Sequence, residues 1–402
     1  MSIQQSIHNG IVYRLCAKLQ LTKIYDSLLK VYQFILRKLI LLFNIKKKSN
    51  LKVFFEYYNH FTHPYFKKRY YGERAPLSWT DLKSSKIVHC IQQCSPKYKE
   101  KKIIIEPNDH VLVIGASLGI YKPSELVMRS NEISNFIASS AISRVLIGNN
   151  EIFNHAKIYF SNSALKKFFI YPEFSCVPKV NEFYIEEKKK NFSNRKIRFL
   201  SIASDFKKKA VDLLIDAFIE SKVSSELTLV CHNVPDHFKK KVFKNKNIYL
   251  IEDIPLTEKK KDRLYRNSDV YINTTHIDGG TVAVNALEYG LPIITHTYHR
   301  GKSYVENGNG FLLNEPMKYY EPKNYGINWN SINDYLEQVK ILKNSGGYAH
   351  VQNQFINCLK HYEKQPRDIF DHGILSLKLA KNNNLEKSNQ ILIDLYNQVS
   401  SE

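Results

Sequence analysis

This sequence of 402 residues is poor in the patterns that mark a metalloprotein. Its six cysteines are scattered and follow no zinc spacing; they are Cys16, Cys90, Cys94, Cys176, Cys231 and Cys358. The fourteen histidines form no HxxxH or HExxH pair. We therefore expect reduced, buried thiols and no protein-bound metal.

Long apolar runs are missing as well. No stretch approaches the roughly 20 residues that cross a bilayer. The N-terminus lacks the basic region, apolar core and small-residue cleavage site of a secretory signal. We therefore expect a protein that stays in the cytoplasm. A zinc-finger spacing and the RNP glycine–aromatic motif are also absent, which argues against a nucleic-acid module.

Positive charge, by contrast, is abundant. The chain has 59 Lys and Arg against 38 Asp and Glu, a net charge of +21, and this favours polyanionic partners. Residues 24–45 are typical of a mostly apolar helix with one polar stripe, and three lysines follow at 46–48. Such a helix can lie on an anionic membrane surface, here the inner face of the cytoplasmic membrane. The alternative is a helix packed against the rest of the protein.

Strand and helix patterns alternate in the second half of the chain. Apolar, β-branched segments predict strands at 197–203, 227–231, 247–251, 269–275 and 293–295. Helices are predicted between them, one after a turn at 204 and one at 256–265. This order predicts a parallel, doubly wound sheet, in which ligands bind beyond the carboxyl ends of the strands. In the first helix Val211, Leu214, Ile215 and Phe218 share one face.

The most informative stretch is an acidic, glycine-bearing loop at 278–281 that leads into a short helix stopping at Gly290. Gly279 and Gly280 allow backbone amides to approach a ligand closely. The first helical turn, which includes Thr281, presents N–H groups with a partial positive charge. The stretch therefore predicts a site for a negatively charged ligand. The alternative is an ordinary turn in which the glycines serve only the backbone.

A second loop, at 204–209, contains three consecutive lysines at 207–209. A lysine beside a strand-to-helix turn can neutralise a diphosphate. The alternative is a solvated face, which is the commoner meaning of a lysine run in a lysine-rich chain. We expect the turns near residues 205 and 279 to converge around a pyrophosphate.

Over residues 195–315 these motifs resemble the retaining glycosyltransferases of the GT-B fold, family 4-like (glycosyl transferases group 1). The resemblance rests on the loop and helix at 278–290, on Asp205-Phe206 followed by Lys208-Lys209, and on the ending at 304–313. It implies an α/β fold with two Rossmann-like, doubly wound parallel-sheet domains that face a cleft. It also implies metal-free, retaining transfer of a sugar from a nucleotide diphosphate sugar, with no further cofactor.

The resemblance further implies roles for the two loops. Lys209, helped by Lys208, neutralises the leaving diphosphate, and the backbone amides of Gly279, Gly280 and Thr281 complete that cradle. Ser204 stands near the position where the family usually has an arginine.

The sequence departs from the family pattern at the carboxylates. Asp278 is expected to contact the hydroxyls of the donor sugar. The family separates its two glutamates by seven residues, whereas nine residues lie between Asp278 and Glu288. Asn285 or Glu288 is therefore expected to hold the ribose, and Glu288 is alternatively a buried, paired carboxylate behind the site.

The first half of the chain is expected to bind the acceptor. Strands are predicted at 51–56, 103–105, 111–115, 145–147 and 169–172, and a small-residue loop that could face phosphate at 115–119. Asp109 and His110 follow a buried-looking strand, and a histidine beside a carboxylate can donate a hydrogen bond to a sugar or a phosphate. The alternative is a polar turn between two strands.

The predicted organisation has four parts. These are a basic amphipathic helical segment (1–48), a Rossmann-like acceptor domain (49–185), a Rossmann-like nucleotide-sugar domain (186–365), and C-terminal helices that brace the first domain (366–402). The charged stretch 186–195 is the expected linker, and helices are predicted at 329–345, 349–362 and 368–399.

The predicted function is hexosyl transfer to a glycan or lipid-linked acceptor, in the biosynthesis of a surface polysaccharide such as lipopolysaccharide or capsule. Two alternatives stay open. One is a basic protein whose 26 tyrosines and 22 phenylalanines stack on nucleic acid, although its lysines form no dense tract. The other is a non-catalytic GT-B partner of another transferase.

Overall fold

The computed structural model describes residues 52–57, 78–79, 86–91, 101–107, 111–120, 123–172, 174–192, 195–204, 206, 209–252, 256–274, 280–297, 301–314 and 340–402. The chain forms two compact units. One comprises residues 1–171 together with 386–402, and the other comprises residues 172–385. The helix predicted at 24–45 lies outside the described residues.

The first unit is built on a parallel sheet of six strands in the spatial order β2-β1-β3-β4-β5-β6. The strands are β1 (Lys52–Tyr57), β2 (Ser78–Trp79), β3 (Ile87–Ile91), β4 (Lys102–Glu106), β5 (Ile142–Ile147) and β6 (Phe168–Ile170). In β3 and β4 the described apolar side chains are almost fully buried, as the near-continuous apolar runs of a covered parallel sheet require.

The helices of the first unit follow the strands. They are α1 (Pro123–Met128), α2 (Ser130–Ala138), α3 (Asn150–Tyr159) and α4 (Asn162–Leu165). The strand predicted at 111–115 is wrong, and so is the loop at 115–119, because Val111–Leu118 forms a 3-10 helix. A short apolar run cannot be assigned to strand or helix by its periodicity alone. This helix packs so closely that a side chain at Gly115 would overlap Leu126 and Ile133.

The second unit is built on another parallel sheet of six strands, in the order β12-β11-β10-β7-β8-β9. The strands are β7 (Arg198–Ala203), β8 (Glu226–Cys231), β9 (Ile248–Ile251), β10 (Val270–Ile272), β11 (Ile293–His296) and β12 (Gly310–Leu313). The doubly wound sheet predicted from the alternating pattern is thus confirmed. The strand order reverses between β7 and β10, and such a switch point is where ligands bind in this class of sheet.

Helices cover this second sheet. They are α5 (Glu182–Lys190), α6 (Val211–Ser221), α7 (Asp236–Lys244), α8 (Glu258–Asn267), α9 (Gly280–Glu288), α10 (Gly301–Tyr304), α11 (Gly347–Lys364) and α12 (Asp368–Asn382). The apolar face predicted for α6 is confirmed, since all four of its predicted residues are buried in the core of this unit. The last helix, α13 (Leu385–Ser401), belongs to the first unit from Glu386 onward.

The structure differs from the sequence prediction at both places where the chain passes from one unit to the other. The first passage falls after Tyr171, whereas the stretch expected as a linker begins inside α5. The single helix predicted at 368–399 is two helices, α12 and α13. The break occurs because the Cys176 amide donates to the Asn383 carbonyl at 2.8 Å, and the Leu385 amide donates to the Cys176 carbonyl at 3.0 Å.

A buried carboxylate ties the start of this sheet together. The Asp269 side chain is fully buried just before β10, and the Arg195 guanidinium holds it with two hydrogen bonds of 2.6 and 2.7 Å. Lys188 Nζ lies 3.2 Å from the same carboxylate, and the Arg198 amide donates to it at 2.9 Å. Helix α5 and strands β7 and β10 therefore meet at one charge.

The end of α9 depends on a glycine. Gly290 has φ +62°, a left-handed conformation, and the Leu291 amide donates to the Ala286 carbonyl at 3.0 Å to close the helix. A Cβ atom at Gly290 would also lie 2.7 Å from Ile185 Cδ1 and 3.3 Å from the Gly373 carbonyl oxygen. The helix stop predicted at Gly290 is therefore confirmed, and tight packing adds to the backbone requirement.

We expect Gly290→Ala to lower the free energy of unfolding by about 2 to 4 kcal/mol, because it adds overpacking to left-handed strain. Gly346→Ala is the matched control. Gly346 also has a positive φ, +76°, but no atom lies within 4 Å of an added Cβ there. Urea unfolding of both variants measures the difference. Equal losses would show that packing at Gly290 contributes nothing.

Candidate active site

The two loops singled out in the sequence leave neighbouring strands at the same edge of the second sheet. Strands β7 and β10 are parallel neighbours, with Val270 opposite Phe199 and Tyr271 opposite Leu200. The lysine-bearing turn follows β7, and the glycine-bearing loop follows β10. Because the strands are parallel, both loops emerge at their carboxyl ends, at the switch point of the sheet.

A side-chain hydrogen bond joins the turn after β7 to the segment after β10. Thr274, two residues beyond β10, donates from its hydroxyl to the Lys209 carbonyl at 2.5 Å. Thr274 is only 2% exposed, and Lys209 is partly buried. The turn after β7 is therefore held against the segment after β10, although 65 residues of chain separate the two partners.

The turn that holds Lys209 has an unusual backbone. Ala210 adopts φ 48° and ψ 40°, the left-handed conformation that L-residues other than glycine rarely take. The Val211 amide donates back to the Phe206 carbonyl at 3.3 Å, which closes the turn. Phe206 is buried against Phe238, with ring centroids 4.9 Å apart. A conformation of this cost is kept only where the surroundings impose it.

Buried polar side chains brace the same edge of the sheet. Asn273 donates from its side-chain amide to the Thr295 hydroxyl at 3.2 Å, and from its backbone amide to the Ile294 carbonyl at 2.8 Å. These bonds tie the end of β10 to β11, while Thr274 ties it to the turn after β7. The ends of three neighbouring strands are thus cross-linked at this edge of the sheet, which is the support that a precise binding site needs.

Helix α9 begins at Gly280, so Thr281 lies in its first turn as predicted, and Gly280, predicted in the loop, is the first residue of the helix. The other predicted residues of this loop, Asp278 and Gly279, lie outside the described residues. A helix that starts at the switch point directs its N-terminal N–H groups toward this edge of the sheet. The position of α9 therefore suits an anionic ligand.

Glu288 faces away from solvent. It is 1% exposed, and its carboxylate accepts a hydrogen bond of 2.8 Å from the Val177 amide. Its backbone carbonyl also accepts from the Lys179 amide at 2.7 Å. These contacts attach the end of α9 to the segment that enters the second unit, and they match the alternative of a buried carboxylate behind the site.

Asn285 lies one turn before Glu288 and is partly exposed. Burial, with Tyr271 nearby, raises the pKa of Tyr265 well above its usual range, and a hydrogen bond from Asn285 opposes that rise. The Tyr265 hydroxyl also donates to the Val282 carbonyl at 3.0 Å. Helix α8 thus supports the first two turns of α9.

The remaining predicted residues divide into two groups. Ser204 is exposed directly after β7, at the predicted edge of the sheet. Lys208, Asp109 and His110 lie outside the described residues, and their roles stay predictions. The sequence interpretation missed Thr274 and Asn273. Their signal was a pair of polar residues, Asn273 and Thr274, at the end of the buried strand β10.

Three further findings concern the part of the chain that the structure describes. No helix within it is long and apolar enough to cross a membrane. It holds no group of three or more His, Cys, Asp or Glu side chains arranged to bind a metal ion. The four cysteines it includes, Cys90, Cys176, Cys231 and Cys358, are buried, and burial raises the pKa of the Cys358 thiol to about 12.

Comparison with known proteins gives an independent result. Residues 183–320 match the family described as Glycosyl transferases group 1, and this range includes both loops and every strand of the second sheet. The protein is a glycosyltransferase of the GT-B fold. No curated protein matches the chain in sequence.

Solved structures of the same fold include HepE from Anabaena. Its complex with UDP has a TM-score of 0.52 and 11% sequence identity, covering 78% of this chain and 79% of that chain. Its complex with UDP-glucose has a TM-score of 0.50 and 10% identity, with the same coverage. At these identities the likeness shows the fold alone.

Proposed function

We propose that this enzyme transfers a hexose, with retention of configuration, from a nucleotide diphosphate sugar to a glycan or lipid-linked acceptor. The observation that supports the proposal most directly is the hydrogen bond between Thr274 and the Lys209 carbonyl. It joins the turn that holds Lys209 to the segment after β10, at the switch point of a doubly wound sheet.

Both loops stabilise the leaving diphosphate. When the bond between the anomeric carbon and the diphosphate oxygen breaks, negative charge grows on the diphosphate. Lys209, with Lys208, places cationic charge there, and the N–H groups at the start of α9 add hydrogen-bond donors. Groups aimed at this developing charge lower the barrier because they stabilise the transition state more than the bound substrate.

The remaining donor contacts are assigned to Asp278 and Asn285. Asp278 binds hydroxyls of the donor sugar, as the family resemblance implies. For the ribose we favour Asn285, because it is partly exposed, whereas Glu288 is 1% exposed with its carboxylate bonded to the Val177 amide. The acceptor hydroxyl attacks the anomeric carbon, and its proton passes to an oxygen of the departing diphosphate, so no separate enzymic base is needed.

We further propose UDP as the nucleotide of the donor. HepE from Anabaena, which shares the fold, was solved with UDP and with UDP-glucose. The acceptor is proposed to be part of a surface polysaccharide such as lipopolysaccharide or capsule, bound by residues of the first unit that include Asp109 and His110. The enzyme works in the cytoplasm, without a metal or other cofactor.

Nucleotide titration tests the proposal. We expect UDP to bind with a dissociation constant between about 1 μM and 1 mM, the range in which enzymes commonly bind their substrates. Isothermal titration with UDP, GDP and ADP, in buffer containing EDTA, measures affinity and base preference together. Tight, salt-sensitive binding of RNA with no binding of any nucleoside diphosphate would favour a nucleic-acid-binding protein instead. Complex formation with another transferase, without nucleotide binding, would indicate a non-catalytic partner.

The proposed membrane association rests on residues 1–48 and on the net charge of +21. We expect the full chain to sediment with vesicles of anionic lipid and to be released by salt, because each lysine near the surface contributes about 1 kcal/mol. Deleting residues 1–48 should abolish sedimentation. If the shortened chain still sediments with the vesicles, the predicted helix is not the anchor.

A further inference from the structure

We propose that Thr274 is a positioning residue of the diphosphate site, and that its hydroxyl sets the place of Lys209 in the turn after β7. The inference rests on the proposed function. It assigns a role in ligand binding to a residue that lies outside both sequence motifs, the turn at 204–209 and the loop at 278–281.

The hydroxyl of Thr274 has a clear structural partner. It donates to the Lys209 carbonyl at 2.5 Å, and the side chain is 2% exposed. A hydrogen bond donated by a side chain this buried is stronger than one at the surface, because water competes less for the donor. Thr274 therefore restrains the backbone of Lys209.

The restraint reaches the lysine side chain through the peptide group. Because a peptide group is planar and trans, fixing the Lys209 carbonyl also fixes the Ala210 amide and the direction in which the chain enters α6. Ala210 then takes its left-handed conformation, with φ 48° and ψ 40°. The Lys209 side chain is attached to the Cα atom at one end of this fixed peptide plane. The positions that the lysine side chain can reach are therefore restricted.

Thr274 itself is held from the other side of its strand. Its neighbour Asn273 is bonded to Thr295 and to the backbone of β11. The path of support therefore runs from β11 through Asn273 and Thr274 to Lys209. A cation that has to meet the growing charge of a leaving diphosphate gains from this, because displacement by about 1 Å can cost a hundredfold in rate.

Three variants test the role. Thr274→Val removes the hydroxyl with little change in shape, and Thr274→Ser keeps it. Ser221→Ala is the matched control. The buried Ser221 hydroxyl donates to the Phe218 carbonyl at 2.7 Å at the far end of α6, a helix of 11 residues. By helical rise this bond lies about 16 Å from the turn that holds Lys209.

We expect Thr274→Val to weaken UDP binding about tenfold and to lower kcat. Thr274→Ser should stay within about threefold of the unaltered enzyme, since it keeps the hydroxyl. Ser221→Ala should lower the free energy of unfolding in urea by about as much as Thr274→Val does, while its affinity for UDP stays within about twofold. That pattern separates a positioning role from a loss of stability alone.

A double-mutant cycle decides whether Thr274 acts through Lys209. With Lys209→Ala in place, adding Thr274→Val should change the dissociation constant of UDP by less than about twofold. An undiminished tenfold effect in that background would overturn the inference, and so would normal UDP binding by Thr274→Val alone. If the unaltered enzyme binds no nucleoside diphosphate, the proposed function fails and takes this role with it. The two failures are thus distinguishable.

Discussion

Replacing Lys209 by alanine is expected to lower the rate of sugar transfer by about 100- to 1,000-fold, the loss typical when one group that stabilises developing negative charge is removed. The fold should survive, because Lys209 lies in a turn and is only partly buried. The effect is measured as the rate at which UDP is released from a UDP-sugar. The loss should fall mainly on kcat, because charge on the diphosphate is greatest in the transition state.

Two further variants sharpen this test. Lys240→Ala removes an exposed lysine of α7 and changes the net charge equally, so it should leave turnover unchanged. Lys209→Arg keeps the charge but alters its shape, and should recover part of the activity. If Lys209→Ala turns over like the unaltered enzyme, this lysine does not contact the leaving group and the run at 207–209 is a solvated face.

The second large effect concerns Asp269. We expect Asp269→Asn to lower the free energy of unfolding by about 3 kcal/mol or more at pH 7, because it removes the fully buried carboxylate and leaves the partly buried cations around it without their partner. Arg195 and Lys188 both contact this fully buried carboxylate, and Arg198 approaches it at 3.7 Å. Asp216→Asn is the control. It removes an exposed ion pair with Lys241 and should cost no more than about 1 kcal/mol.

The effect of Asp269 should depend on pH in a defined direction. Burial by itself would raise the pKa of Asp269, but the hydrogen-bonded Arg195 and the charges of Lys188 and Arg198 outweigh it, and the pKa is lowered. Burial also lowers the pKa of Lys188, against the attraction of Asp269. The lowered pKa of Asp269 follows mainly from Arg195, which binds the carboxylate with two hydrogen bonds.

The sign follows from linkage. Since the pKa of Asp269 is lower in the folded than in the unfolded chain, its contribution is complete above the unfolded value of about 3.9 and is lost as the pH falls through the folded value. Urea unfolding between pH 7 and pH 3 should therefore show the gap between the unaltered enzyme and Asp269→Asn closing toward acid. A gap that stays constant over this range would contradict the assigned charge network.

Much of the second unit was predictable from the sequence, because residues close together in the chain specify its strands and helices. The strand patterns around β7, β8, β9 and β11 lie within one or two residues of the observed strands. The predicted apolar face of α6 is buried, and the predicted stop of α9 is a left-handed glycine. These features depend on side-chain periodicity and on one residue's backbone freedom, both of which neighbouring residues specify.

The predictions failed where distant contacts override a local pattern. Val111–Leu118 forms a 3-10 helix packed on α1 and α2, although the same apolar residues also suit a strand. The long C-terminal helix breaks at Asn383 and Asn384, because the backbone of Cys176 bonds across the break. In both cases the deciding partner lies elsewhere in the chain, and sequence periodicity does not report it.

The sequence alone determined that this chain contains a parallel α/β domain with a lysine-bearing turn and a glycine-bearing helix start, because strand periodicity, helix faces and glycine stops are local properties. Only the tertiary structure decided that β7 and β10 are neighbours, that Thr274 bonds to Lys209, and that Glu288 faces Val177 instead of solvent. These are pairings between residues 65 and 111 positions apart. Their partners are chosen when the sheet assembles and its edges are brought together, and no short segment contains that information.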